Sequence, residues 1–172
     1  MKIPALGALA LLALAAVAYA QKVNTDSDPA ARFSEYRTYA WTTGTPSPNP
    51  LGEQRIHDAV NSQLAAKGLT LNREQPDLVV ATHVMSHEEK EIIADGYGYG
   101  PWWYGGGFST TRVYTYLQGT LVVDIYDAAT KKMIWRGTAT DTVSDKAAKN
   151  TKKINKALTR MFQRYPASAA AN

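Results

Sequence analysis

Two histidines and two glutamates at even spacing are the residues of this chain that best suit metal chemistry. If the strand that begins at Leu78 runs on past Met85, its two-residue period places His83, His87, Glu89 and Glu91 on one face, a set of imidazole and carboxylate donors that zinc accepts. The spacing permits a site without demanding one. With His83 packed in a sheet and His87 and the glutamates in water, the same residues need no ion. No metal or other cofactor is therefore expected, and His83 and His87 stand only as weak candidates.

Nucleophilic catalysis finds less to work with. It needs a Ser, Thr or Cys beside a base that is itself oriented by an acid. Cysteine is absent, no Gly-x-Ser-x-Gly elbow occurs, and none of His57, His83 and His87 sits in a catalytic signature. No catalytic residue is assigned, and the sequence points away from an enzyme. Asp124 and Asp127 with Lys131, Lys132 and Arg136 resemble an acid-base cluster, but a cross-strand ion pair accounts for them more simply. Trp41 and Trp135 fit strand positions that face a core.

The segment 96–108 has a different character. It sets Tyr97, Tyr99, Trp102, Trp103, Tyr104 and Phe108 on a backbone loosened by glycines, and no helix or central strand is written this way. Tyr and Trp are apolar bodies with polar tips, suited to protein interfaces, to the head-group zone of a bilayer or to stacking on sugar rings. Two readings stay open: the rings dock on a partner, or the loop folds back over the sheet and buries them. Phosphate binding is set aside, because no Gly-x-x-x-x-Gly-Lys-Ser/Thr loop is present. Near the C-terminus Lys149, Lys152, Lys153, Lys156 and Arg160 make a basic face. Anionic head groups or acidic polymers are its charge complement, and a solvated helix surface is its plainer explanation.

These residues must be positioned by a small chain. The 172 residues open with Lys2, an unbroken run of Ala, Leu, Gly and Val over 5–17, and the small-x-small triplet Ala18-Tyr19-Ala20. That is the pattern of a cleaved signal peptide over 1–20, too short to span a bilayer. The mature protein is expected to be periplasmic or secreted, soluble, and without a lipid anchor, since no Cys stands at the cleavage point. Its net charge falls from +4 to +3 with the loss of Lys2. Nucleic acid is not an expected partner, because no recognised binding motif occurs. Without disulfides, stability must come from one packed core.

Val23 to Asp26 and Tyr36 to Trp41 read as strands, separated by a turn at Asp28-Pro29. Asn49 caps a helix with Pro50 at its first position, Ile56, Val60 and Leu64 on its apolar stripe and Gly68 at its end. Leu78 to Met85 reads as a strand apolar on both faces, central in a sheet. Val113 to Asp127 and Lys132 to Thr140 should form an antiparallel hairpin. Ser144 or Asp145 caps a last helix that runs to about Tyr165, and 167–172 is a flexible tail. The order predicts a single α+β domain over 21–166, a two-layer sandwich of about five antiparallel strands with both helices packed on one face.

In wording, three stretches resemble a known bacterial family, the domain of unknown function 4136. They are Phe33 to Trp41, Pro76 to Val80, and Gly119 to Asp127 continuing through Ile134 to Gly137. The Gly/aromatic segment is similar to an insert seen in many members. The resemblance implies an envelope location and an α+β fold, and it supplies no catalytic residues. Many relatives look lipid-anchored through a Cys that this chain lacks. The expected role is thus a non-enzymatic envelope protein that docks through the aromatic loop on a protein or membrane surface. The alternatives are a periplasmic binding module or enzyme for a small ligand or glycan, and an accessory that stabilises an assembly through its sheet edge. Oligomeric state is not predicted.

Overall fold

The computed structural model describes residues 21–96 and 109–166, with 91–96 and 109–112 entering by their backbone alone. The expected leader over 1–20, the aromatic segment 97–108 and the tail 167–172 lie outside the described residues. In chain order the elements are β1 (Lys22–Ser27), β2 (Thr38–Trp41), α1 (Pro50–Ala66), β3 (Thr70–Leu71), β4 (Leu78–Gly96), β5 (Ser109–Asp127), β6 (Met133–Thr142) and α2 (Ala147–Gln163). They build one sheet of order β1-β6-β5-β4-β2-β3.

The α+β class holds, but the sheet is mixed and six-stranded rather than antiparallel with five. β2 runs parallel to both β3 and β4, while β1, β6, β5 and β4 alternate in direction. The cause is α1. A helix returns the chain to the end of the sheet it started from, so the strand that follows points the same way as β2. The sixth strand, Thr70–Leu71, is two residues long and carries no pattern of its own.

α1 forms as its sequence prescribes. The Asn49 side chain accepts hydrogen bonds from the amides of Leu51 and Gly52, Pro50 opens the helix, and Gly68 takes a φ of 79° just past its end. Ile56, Val60 and Leu64 are buried beneath it. α2 departs from expectation at its start. Neither Ser144 nor Asp145 caps it; Lys146 stands at the cap without a side-chain bond, and the Asn150 side chain bonds both the amide and the carbonyl of Ser144. The helix buries Ala157, Leu158, Met161 and Phe162, whereas Ala147 is exposed.

Both helices lie on one face of the sheet, over Leu78, Val80, Leu121, Val123, Ile125 and Ala139. The centre of this core is aromatic: Trp135 meets Phe162 and Tyr165 at centroid distances of 5.2 and 5.4 Å, and Phe33 meets Tyr165 edge-on at 5.3 Å. Such pairs add about 0.5–1.5 kcal/mol each beyond the area they bury. Glycine at position 137 is a packing requirement, since a Cβ there would stand 2.6 Å from the Trp135 ring and 3.0 Å from Met161 Sδ. Trp135 Nε1 and the Tyr165 hydroxyl are buried in the core without hydrogen-bond partners among the described residues. Burial pushes the Tyr165 phenol well up. Among the described residues no helix is long and apolar enough to cross a membrane.

Candidate functional site

β4 and β5 each hold 19 residues and pair from Leu78↔Asp127 to Gly96↔Ser109 without a register shift. Their neighbours stop far earlier. β6 leaves β5 at Gln118, and on the other side the ladder ends at Trp41↔Val80 with an isolated bridge at Thr45↔His83. Ser86 to Gly96 and Ser109 to Leu117 therefore leave the body as a two-stranded ribbon roughly 35 Å long. The strand expected to end at Met85 thus continues through the charged stretch Ser86 to Glu91, and the one expected from Val113 begins at Ser109. Over 86–90 and 113–117, where the ribbon has cleared the core, most side chains are exposed and the apolar alternation that marks a strand is no longer required.

The ribbon brings His83, His87 and Glu89 to one strand face, as their parity dictates, but it does not gather them; the Glu91 side chain lies outside the described residues. His87 Nε2 lies 3.8 Å from Glu89 Oε1, and Glu89 Oε2 accepts a 2.7 Å bond from the Tyr116 hydroxyl across the ribbon. No group of three or more His, Cys, Asp or Glu that could hold a metal occurs among the described residues.

His83 belongs to a separate constellation on the sheet face opposite the helices. Its Nδ1 faces the Thr45 amide at 3.1 Å and the Thr45 hydroxyl at 3.0 Å, and its Nε2 lies 3.5 Å from Asp124 Oδ2. Asp124, 1% exposed in its side chain, also accepts two 2.6 Å bonds from Arg136 Nε and Nη2, and the Tyr126 hydroxyl sits 3.5 Å away. Arg136 is held in its charged form chiefly by its bonds to Asp124, while burial and the same carboxylate push the Tyr126 phenol up. The order Thr45 hydroxyl, His83 imidazole, Asp124 carboxylate has the outline of a nucleophile, base and acid. The Thr45 amide occupies the lone pair on Nδ1 that such a base would need, so the imidazole works as a clip between strands. Within the group Asp124, Asp127, Lys131, Lys132 and Arg136, where a cross-strand ion pair was expected, Asp124 and Arg136 form one; the roles of Thr45 and His83 were hidden by their separation along the chain.

The third histidine is also occupied. His57 stacks on Trp41 at 4.1 Å and lies 3.0 Å from Glu53 Oε1, and Trp41 Nε1 donates to Asn61. Trp41 and Trp135 are packing residues, as expected.

At the root of the ribbon, on the helix side of the sheet, lies a cleft of about 430 Å³. α1 and α2 run in the same direction, Gln63 meeting Thr159 and Lys67 meeting the Tyr165 carbonyl, so both N-termini open on it. Val84, Leu117, Leu121 and Ala139 form the sheet side, with Ile56 and Ile154 from the helices. Its polar groups are mostly satisfied. Lys153 Nζ donates to Asp141 Oδ1, the Thr142 carbonyl and the Thr142 hydroxyl, all within 2.8 Å. Gln21 Nε2 donates to Asp141 and to the Lys153 carbonyl, leaving its Oε1 buried without a partner. Lys153 has thereby left the basic face of α2, where Lys149, Lys152 and Lys156 are exposed and Arg160 is half-buried. Tyr97, Tyr99, Trp102, Trp103, Tyr104 and Phe108 fall in the stretch that joins the two ribbon strands, outside the described residues.

The fold is similar to part of a PDZ domain protein from Parabacteroides distasonis, with 17% identity and a TM-score of 0.58 over 85% of this chain and 36% of that one; the chain spans about a third of that protein's length. Lower scores relate it to the PelC dodecamer from Paraburkholderia phytofirmans (14% identity, TM-score 0.48, 83% of this chain and 98% of that one). A minor lipoprotein from Acinetobacter baumannii scores lower again (12%, 0.36, 75% and 91%). Among curated proteins none matches by sequence. A family model described as "Domain of unknown function (DUF4136)" matches residues 23–167, most of the chain, and the protein belongs to that family.

Proposed function

We propose that the chain is an exported, non-enzymatic protein of the cell envelope that docks on another envelope component, a membrane or protein surface, through the Gly/aromatic segment 97–108. The ribbon carries this reading: it holds the ends of that segment, Gly96 and Ser109, roughly 35 Å from the body. The segment between those ends carries six aromatic residues, types that suit a head-group zone or a protein interface. The leader-like N-terminus supports export, and the exposed lysines of α2 would favour an anionic surface.

The test is flotation of 21–172 with anionic vesicles while tryptophan emission is followed, beside a variant in which an Asn-Gly turn replaces 97–108 and keeps the hairpin closed. Flotation with a blue shift, lost in the variant, is the expected result. Identical behaviour of the two proteins with vesicles and with solubilised envelope fractions would overturn the proposal.

The cleft favours a second reading, a periplasmic module for a small ligand or glycan, since its volume lies in the range of ligand sites. Its polar partners would be Gln21 and Asp141 rather than His83, which sits on the opposite sheet face. A ligand of the folded state raises the unfolding temperature by mass action, so a thermal-shift panel of cell-wall sugars and divalent metals decides it. No shift with any of them removes it.

A further inference from the structure

We infer that the ribbon pairs edge to edge with a second copy of this chain, the outer edge of β5 in one copy against the outer edge of β4 in the next, antiparallel. The inference does not depend on tip docking, because it concerns strand edges rather than the aromatic segment.

An isolated two-stranded hairpin is marginal in water and needs a third strand or a packed layer. Beyond Ser86 and Leu117 the ribbon has neither among the described residues. Its backbone polarity can be read from the body. Thr45 donates to the Thr82 carbonyl and receives from the Val84 amide, so even-numbered residues of β4 aim their amides and carbonyls outward. The unbroken register carries that alternation through Ser86, Glu88, Lys90, Ile92 and Ala94. On the other side the Leu117 carbonyl accepts from Val143, so Thr115, Val113, Thr111 and Ser109 aim outward from β5. Two rows of strand donors and acceptors therefore face away from the ribbon.

The body's own edges are blunted. β3 ends one side after two residues, and β1 carries Lys22 and Asp26 on the other. The β5 edge is not blunted: Val113, Tyr114 and Leu117 are 57%, 48% and 40% exposed.

Charge selects the pairing. The segment Ser86 to Gly96 holds Glu88, Glu89, Glu91 and Asp95 against Lys90, a net −3, while Ser109 to Leu117 holds only Arg112. Two β4 edges side by side would repel, two β5 edges would bring like charge together, and β5 against β4 is attractive. Such a contact is heterologous and leaves one edge of each kind free, so copies add in sequence until they close or run on as a filament.

Proline separates the edges without opening the ribbon. At Lys90 or Thr115 the amide points outward, so Lys90→Pro or Thr115→Pro removes a donor needed between copies and leaves the β4–β5 ladder bonded. Sedimentation of 21–172 should show concentration-dependent association that either proline weakens about tenfold, one hydrogen bond's worth. An equimolar mixture of the two variants should form a 1:1 pair through the edges each retains. Glu88→Arg should weaken association as well, and the 97–108 turn replacement should leave it unchanged, which separates this inference from tip docking. A monomer at all concentrations, a proline variant that associates as the parent does, or a mixture that stays monomeric would each overturn it.

Discussion

Arg136→Met strands a carboxylate that has almost no access to water. Asp124 is 1% exposed and draws two 2.6 Å bonds from Arg136, leaving only longer approaches from His83 and Tyr126 at 3.5 Å once the guanidinium is gone. Breaking a buried pair from one side costs about 3–5 kcal/mol. Arg136 itself is 49% exposed, so solvent already screens part of the attraction and the low end, about 3 kcal/mol, is expected. For a domain of this size that is a fall of roughly 6–12 °C in unfolding temperature. The double variant Asp124→Leu with Arg136→Met removes both charges and fills the site with apolar atoms, and it should return to within about 1 kcal/mol of the parent. Asp124→Leu alone leaves a guanidinium that can reach water and should cost about 1 kcal/mol, well under the arginine variant. Urea unfolding followed by tryptophan fluorescence measures all four proteins at pH 7. A double variant as unstable as Arg136→Met, or an aspartate variant costlier than the arginine one, would refute the assignment of the cost to an uncompensated buried charge.

Tyr165→Phe removes a buried hydroxyl that has no partner, so it should stabilise the protein by up to about 1 kcal/mol in the same assay; a loss of stability would show that the hydroxyl is bonded in solution. Asp127 is lowered first by the Thr130 amide and also by the Tyr36 and Thr130 hydroxyls, against burial, and Tyr36 is pushed up to about 12 by burial and that same bond. At Asp77 burial pulls upward, but bonds from the amides of Arg37 and Thr38 and from the Thr38 hydroxyl lower the carboxyl. Both carboxyls are more acidic folded than unfolded, so their stabilisation is complete above the unfolded carboxylate range near pH 4 and is lost as pH falls through the folded values. Unfolding temperature should hold from pH 7 to about 5 and drop below about 4, and Asp127→Asn should flatten that drop; an equal drop in the variant would count against the assignment.

Local signals were readable where one turn of chain contains both partners. Asn49, Pro50 and Gly68 bracket α1 because a cap, a first-turn proline and a positive φ are all satisfied within a few residues. Strand direction is not local. Nothing in Thr38 to Trp41 distinguishes a parallel neighbour from an antiparallel one, and the parallel pairing follows only from the helix between. The ribbon was hidden for another reason: the strand was read only to Met85, because the pattern that marks strands comes from burial, and at Glu88, Glu89 and Lys90 it leaves the core behind. The clip formed by Thr45, His83 and Asp124 joins three distant segments, and no spacing rule connects them. At α2, Ser144 and Asp145 both suit a cap by type, yet Asn150 takes over the backbone of Ser144 and the helix starts later.

Gln21 lines the cleft at the root of the ribbon, while Tyr165 lies under Phe33 and Trp135 at the far pole of the core. The chain therefore enters the domain at one pole and departs from the other, with α2 as the strut between. An affinity handle fused directly ahead of Gln21 would start beside the root of the arm. A handle placed after Pro166 would immobilise the molecule with its arm pointing away from the support, the attachment geometry suited to surface-capture studies of what the arm touches.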